Sequence, residues 1–106
     1  MTDSEFEALT AAALGRIEQA LEDCSVDADV QSKSGGVLEI EFDNGTRMVI
    51  NRHAAARELW VAGKSGGFHF RWDGALWRDT RDGSELFAAL SKLVSAQSGR
   101  GVVLRG

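Results

Sequence analysis

Eight carboxylates, Glu18, Glu22, Asp23, Asp27, Asp29, Glu39, Glu41 and Asp43, crowd the first half of this chain. Carboxylate oxygens are hard donors, suited to iron, manganese, calcium or magnesium rather than to zinc or copper. No ligating histidine or cysteine accompanies them, and no twelve-residue calcium loop is present. Any cation site they form is therefore expected to be open, water-rich and weak. Up to Asp43 there are eleven acids against Arg16 and Lys33, a net −9, whereas the remaining residues carry ten bases and five acids, a net +5. The overall −4 thus hides a polarised molecule whose field steers cations, or a basic partner, towards one face.

A run of acids is ordinarily a solvated surface, but two features of this one are locally unfavourable. Glu18 and Glu22 share a helix face at a spacing where like charges repel by about 0.2–0.5 kcal/mol. With Asp23 they also lie near a helix C-terminus, where the macrodipole disfavours negative charge. A surface shaped only for solubility mixes its signs. Other chemistries are excluded more easily. Gly63-Lys64-Ser65 has the end of a phosphate-binding loop, but Glu58 stands where its first glycine is needed and a strand follows. No nucleophile–base set stands out, the acidic setting makes Cys24 a poor nucleophile, and His53 and His69 read as surface histidines. The sequence contains no catalytic site, no zinc spacing, no signal-peptide core and no membrane span. The acidic balance argues against nucleic acid, and a single cysteine suits a reducing, cytoplasmic setting.

The elements that must position these acids are legible from periodicity. Phe6, Leu9, Ala13, Ile17, Ala20 and Leu21 predict a helix over 4–23, capped by Ser4 with Glu7 or, in a competing register, by Thr2 with Glu5. Residues 24–36 read as a loop holding at most a short strand. From Val37 the period becomes two, and Leu38, Ile40 and Phe42 face a core while Glu39 and Glu41 face out. Asn44-Gly45 predicts a hairpin turn with positive φ at both positions. Strands follow at 46–52, 58–62, 68–72 and 76–80, with Met48, Ile50, Leu59, Val61 and Trp77 inward. Val49, Asn51, Trp60, His69 and Arg71 point away from the core, and a tryptophan on a sheet face is a typical interface anchor. Asp82, with Glu85 three residues on, predicts the start of a second helix whose face is Leu86, Ala89, Leu90, Leu93 and Val94, ended by Gly99. The tail at Val102–Leu104 is expected to tuck against the core. The expected architecture is α+β: one domain over 1–106, a two-layer sandwich with two helices on one face of a five- to six-stranded antiparallel sheet.

The segments LEIEFDNGTRMVINRH, ELWVA and GGFHFRWDGALWRDTRDG, preceded by an acidic helix, together resemble the frataxin family and its bacterial, CyaY-type branch. The resemblance runs from SEFEAL to the second helix. It implies a small protein of iron–sulfur cluster assembly, not an enzyme. Such a protein binds Fe²⁺ and Fe³⁺ weakly through an acidic ridge, uses no organic cofactor, and docks on the cysteine desulfurase near the scaffold protein. Carried over by position, the ridge comprises Glu18, Glu22, Asp23, Asp27, Asp29, Glu39, Glu41 and Asp43, and the docking face includes Asn51 and Trp60 together with Glu18 and Glu22. The implied state is a monomer, with iron-driven oligomers left open. His53 stands where the family often has glutamine, Glu7 where some relatives use a histidine, and Gln19, Ser25 and Gln31 where bacterial relatives carry further acids, so the ridge is thinner here. The alternative is an acidic protein-interaction module whose metal binding is incidental.

Overall fold

The computed structural model describes all residues, 1–106. The order is α1 (Asp3–Asp23), β1 (Ala28–Lys33), β2 (Val37–Phe42), β3 (Arg47–His53), β4 (Glu58–Gly63), β5 (Gly66–Trp72), β6 (Trp77–Asp79) and α2 (Leu86–Ser98). The six strands form one antiparallel meander in sequence order, so every connection joins neighbours. Each inner strand sends alternate side chains, Leu38, Ile40, Phe42, Met48, Ile50, Leu59, Val61 and Phe70, into a single core shared with both helices. Burying a side chain of this size contributes about 1.5–3 kcal/mol. The opposite sheet face has no layer over it.

Four local expectations change, each for a physical reason. Residues 28–33 form a six-residue edge strand, more regular structure than the loop with at most a short strand expected there. Its alternation is faint because only Ala28 and Val30 pack against the core, and its register is imposed by β2. α1 takes the competing cap: Thr2 Oγ1 accepts from Glu5 N–H while Glu5 Oε1 accepts from Thr2 N–H, both at 3.1 Å. That register places Asp3 and Glu5 in the first turn, where the macrodipole favours acids. The β2–β3 turn is a three-residue loop in which only Gly45, at φ 84°, is left-handed. Gly45 N–H donates to the Phe42 carbonyl, and Asn44 Nδ2 donates 2.7 Å across to the Gln97 carbonyl at the end of α2. Finally, Glu85, not Asp82, caps α2, accepting from Phe87 N–H at 2.8 Å and Ala88 N–H at 3.2 Å. Asp82 instead closes its own turn by accepting from Ser84 N–H.

Two buried polar groups on the helices are satisfied differently, Thr10 within its own helix and Gln97 across to the sheet. Thr10, on the inner face of α1, donates to the Phe6 carbonyl. Gln97, buried at the end of α2, donates to Thr46 Oγ1 and the Arg47 carbonyl and accepts from Lys64 N–H. One side chain thereby ties α2 to two hairpins, each polar atom satisfied as burial demands. The tail tucks as expected: Val102 and Leu104 are buried while Val103 faces solvent.

Candidate metal ridge and docking face

Strand pairing brings the ridge acids together at one end of the sheet. Asp29 lies directly opposite Glu41, and the Asp43 N–H donates to the Asp27 carbonyl at 3.2 Å, so the two turns beside β1 and β2 adjoin. Asp27, Asp29, Glu41 and Asp43 line one shallow depression, and Glu39 joins Asp29 and Glu41 around a second. Like charges opposed across strands are destabilising. Glu18, Glu22 and Asp23 occupy the last turns of α1, which contain no basic residue, and Gln19 donates to Asp23 at 3.0 Å. From there the chain passes through Cys24–Val26 directly into Asp27, so the helix acids precede the strand acids by one short connection.

Three cations in the structure temper the ridge, none evident from spacing alone. Lys33 reaches Glu39 at 3.2 Å, Arg47 reaches Glu41 at 3.4 Å, and Arg100 reaches Asp27 at 3.9 Å. All are exposed pairs of the kind that contribute about 0–1 kcal/mol. Glu18, Glu22, Asp23, Asp29 and Asp43 have no ion-pair partner. Nowhere do three Asp, Glu, His or Cys side chains converge closely enough to hold an ion among them. The ridge is a field of separate oxygen donors, not a preformed cage.

The outer sheet face is built differently. Trp60 points outward, paired in register with Asn51 on one side and His69 on the other. Yet it is half-buried, because its indole is stacked between two imidazoles: His53 at 3.7 Å and 7°, His69 at 4.4 Å and 8°. Both ring faces are covered, and only its edge remains for a partner. Beneath lies Glu58, 5% exposed, accepting from Trp60 Nε1 at 2.9 Å and from Arg71 at 2.7 Å, with His69 Nδ1 at 3.6 Å. Burial pushes the Glu58 carboxyl pKa up; the Trp60 and Arg71 hydrogen bonds, with the charges of Arg71 and His69, outweigh it and leave the carboxyl below its ordinary value. Sequence reading placed Trp60 and Asn51 here but missed the roles of Glu58, His53 and His69. The signal was the β4–β5 register, which sets His69 opposite Trp60 and Arg71 opposite Glu58.

Comparison with known proteins now decides the family. A family model described as a frataxin-like domain matches residues 1–100. The chain belongs to the frataxin-like family. The iron-sulfur cluster assembly protein CyaY of Dechloromonas aromatica is 57% identical over 99% of this chain and 100% of its own length. The protein of the same name from a Janthinobacterium species is 55% identical, covering 99% and 97%. The solved frataxin of Psychromonas ingrahamii, 31% identical, superposes over 100% of both chains with a TM-score of 0.90. The frataxin fold, two helices on a six-stranded antiparallel sheet, is thus established from both directions. No helix is long and apolar enough to cross a membrane.

Proposed function

We propose that this frataxin-like chain serves iron–sulfur cluster assembly in the cytoplasm as an iron-binding regulator without turnover of its own. In this reading the ridge meets a basic surface on the cysteine desulfurase, while Asn51 and the edge of Trp60 contact the neighbouring scaffold protein. The observation that carries it is the set of five carboxylates with no counter-ion, four exposed and Glu18 half-buried, three of them at a helix end that penalises negative charge. Relatives at 55–57% identity that bear the name of iron–sulfur cluster assembly proteins support the same role.

Iron fits the donor set. Glu18, Glu22, Asp23, Asp27, Asp29, Glu39, Glu41 and Asp43 supply hard oxygens only, and without a convergent cluster an ion keeps most of its water. Weak, exchangeable binding follows, suited to a protein that senses or passes iron rather than storing it. Iron and the desulfurase share one surface, so each alters the affinity for the other. The test is a Glu18→Lys/Glu22→Lys double variant, assayed for desulfurase binding and Fe²⁺ binding at moderate salt. Both are expected to weaken severalfold with the fold intact; survival of both refutes the ridge assignment.

The lack of a convergent set favours a second reading, an acidic interaction module whose metal binding is incidental. It predicts partner binding that falls steeply with salt yet is unchanged by iron or by a chelator.

A further inference from the structure

The sheet ends in two edges that are finished differently. β6 is three residues long, and its outer side is closed by the Arg78–Glu85 bridge and by Asp79 N–H donating to the Ser84 carbonyl. β1 is six residues long and has no strand beyond it. Which of its backbone groups are free follows from the ladder. The Asp43 N–H donates to the Asp27 carbonyl, so Asp27 and, by alternation, Asp29, Gln31 and Lys33 bond to β2. The N–H and C=O groups of Ala28, Val30 and Ser32 therefore point away from the sheet, and no other part of the backbone reaches them. Such a row is a template for another strand.

Charges on an edge strand ordinarily deter pairing, but here they are self-complementary. Asp29 and Lys33 are exposed, of opposite sign, and stand two residues to either side of Gln31. Asp27, Asp29, Glu41 and Asp43 gather at one end of the β1–β2 pair, whereas residues 33–37 at the other end hold Lys33 and no acid. A second β1 laid antiparallel against the first sets each acidic end beside the other copy's lysine.

We propose that β1 is the contact by which two copies of this chain pair, antiparallel and two-fold symmetric about Gln31, joining their sheets into one. In that register Val30 and Ser32 of each copy exchange backbone hydrogen bonds with Ser32 and Val30 of the other. Asp29 and Lys33 face each other across both halves of the interface, in non-hydrogen-bonded positions where side chains lie closest. Asp29 has no ion pair within its own chain, only a 3.3 Å bond from Gln31. Lys33 reaches its own Glu39 in an exposed pair, which is weak enough to be shared. A single strand contact buries little area, so the dimer is weak and concentration-dependent.

The test is sedimentation equilibrium of the full chain from micromolar to millimolar concentration, alongside ¹⁵N amide spectra. Moderate salt and a chelator ensure that no metal bridges the acids. The apparent mass is expected to rise with concentration towards twice that of the monomer, with the largest amide shifts at Val30 and Ser32. Asp29→Lys and Lys33→Asp each set like charges opposite one another and are expected to weaken association on the order of tenfold. An equimolar mixture of the two variants is expected to restore it, because each then meets its complement. Ser32→Pro removes an outward N–H, leaves the ladder to β2 intact, and is expected to abolish pairing. A monomer at every concentration, shifts centred on another face, single variants that associate like the parent chain, or a mixture that stays monomeric would each overturn the proposal.

Discussion

Glu58 and the ridge acids are the same chemistry in opposite settings. Glu58 is almost fully enclosed, accepts two strong hydrogen bonds, and has Arg71 as its counter-ion. Asp29 and Glu41 face each other across strands, and Glu18 and Glu22 sit a turn apart at the wrong end of a helix. A buried carboxylate persists only when it is paired and hydrogen-bonded. An exposed one needs no answer, so it remains available to something outside the chain. The contrast separates carboxylates that build the protein from carboxylates the protein presents.

The largest test of that contrast is removal of Glu58. Glu58→Ala leaves the Trp60 indole N–H and Arg71 without their acceptor and is expected to cost about 2–3 kcal/mol in urea denaturation. Glu58→Gln, which keeps an acceptor for Trp60, should cost less. A loss as small as that of a typical surface substitution would dissolve the distinction.

The ridge should behave in the reverse sense. Glu22→Lys removes a repulsion, adds an i,i+4 attraction to Glu18 and places a cation at the end of α1. Stability is expected to rise by roughly 0.3–1 kcal/mol in the same denaturation series while iron binding falls. A variant that is both less stable and metal-competent would show that these acids belong to the fold.

Acid titration divides the groups further. The native carboxyl of Glu58 lies below its unfolded value, so the stability it contributes is complete above the unfolded pKa and fades as pH falls through the lower native one. Asp73 is an exposed comparison: backbone N–H groups of Leu76 and Ala75, then Arg78, hold its carboxyl at about 2, below the ordinary 3.8. Its contribution likewise holds above the ordinary value and disappears on acidification towards 2. Carboxyl-carbon NMR should place the Asp73 midpoint near 2, and Arg78→Gln should raise it modestly. The smallest effect is expected for Lys33→Ala, which removes an exposed partner of Glu39 and should change stability by less than about 0.5 kcal/mol, even at low salt.

How far the sequence foretold this follows the strength of its local signals. Both helices and strands β2 to β6 announce themselves because strong apolar periodicity matches their burial, and all eight ridge acids were nameable. β1 was obscured because an edge strand with two inward apolar residues carries almost no alternation. The caps at Thr2 and Glu85 were ambiguous because acceptors crowd both helix starts, and tertiary pairing, Arg78 with Glu85 across an isolated bridge, decides the second. The imidazole–indole–imidazole stack needs cross-strand register, which composition does not supply. Nor does spacing reveal the counter-ions: Arg100 follows α2 and meets Asp27 only through the fold.

The central claim is that the ridge, not the outer face, is where this molecule takes up iron. An anaerobic Fe²⁺ titration of the ¹⁵N-labelled chain at moderate salt tests it most directly. The account predicts amide broadening confined to residues 18–29 and 39–43, with Glu58, Trp60 and His69 unaffected. Silence along the ridge, or broadening centred on His53 and His69, would contradict it.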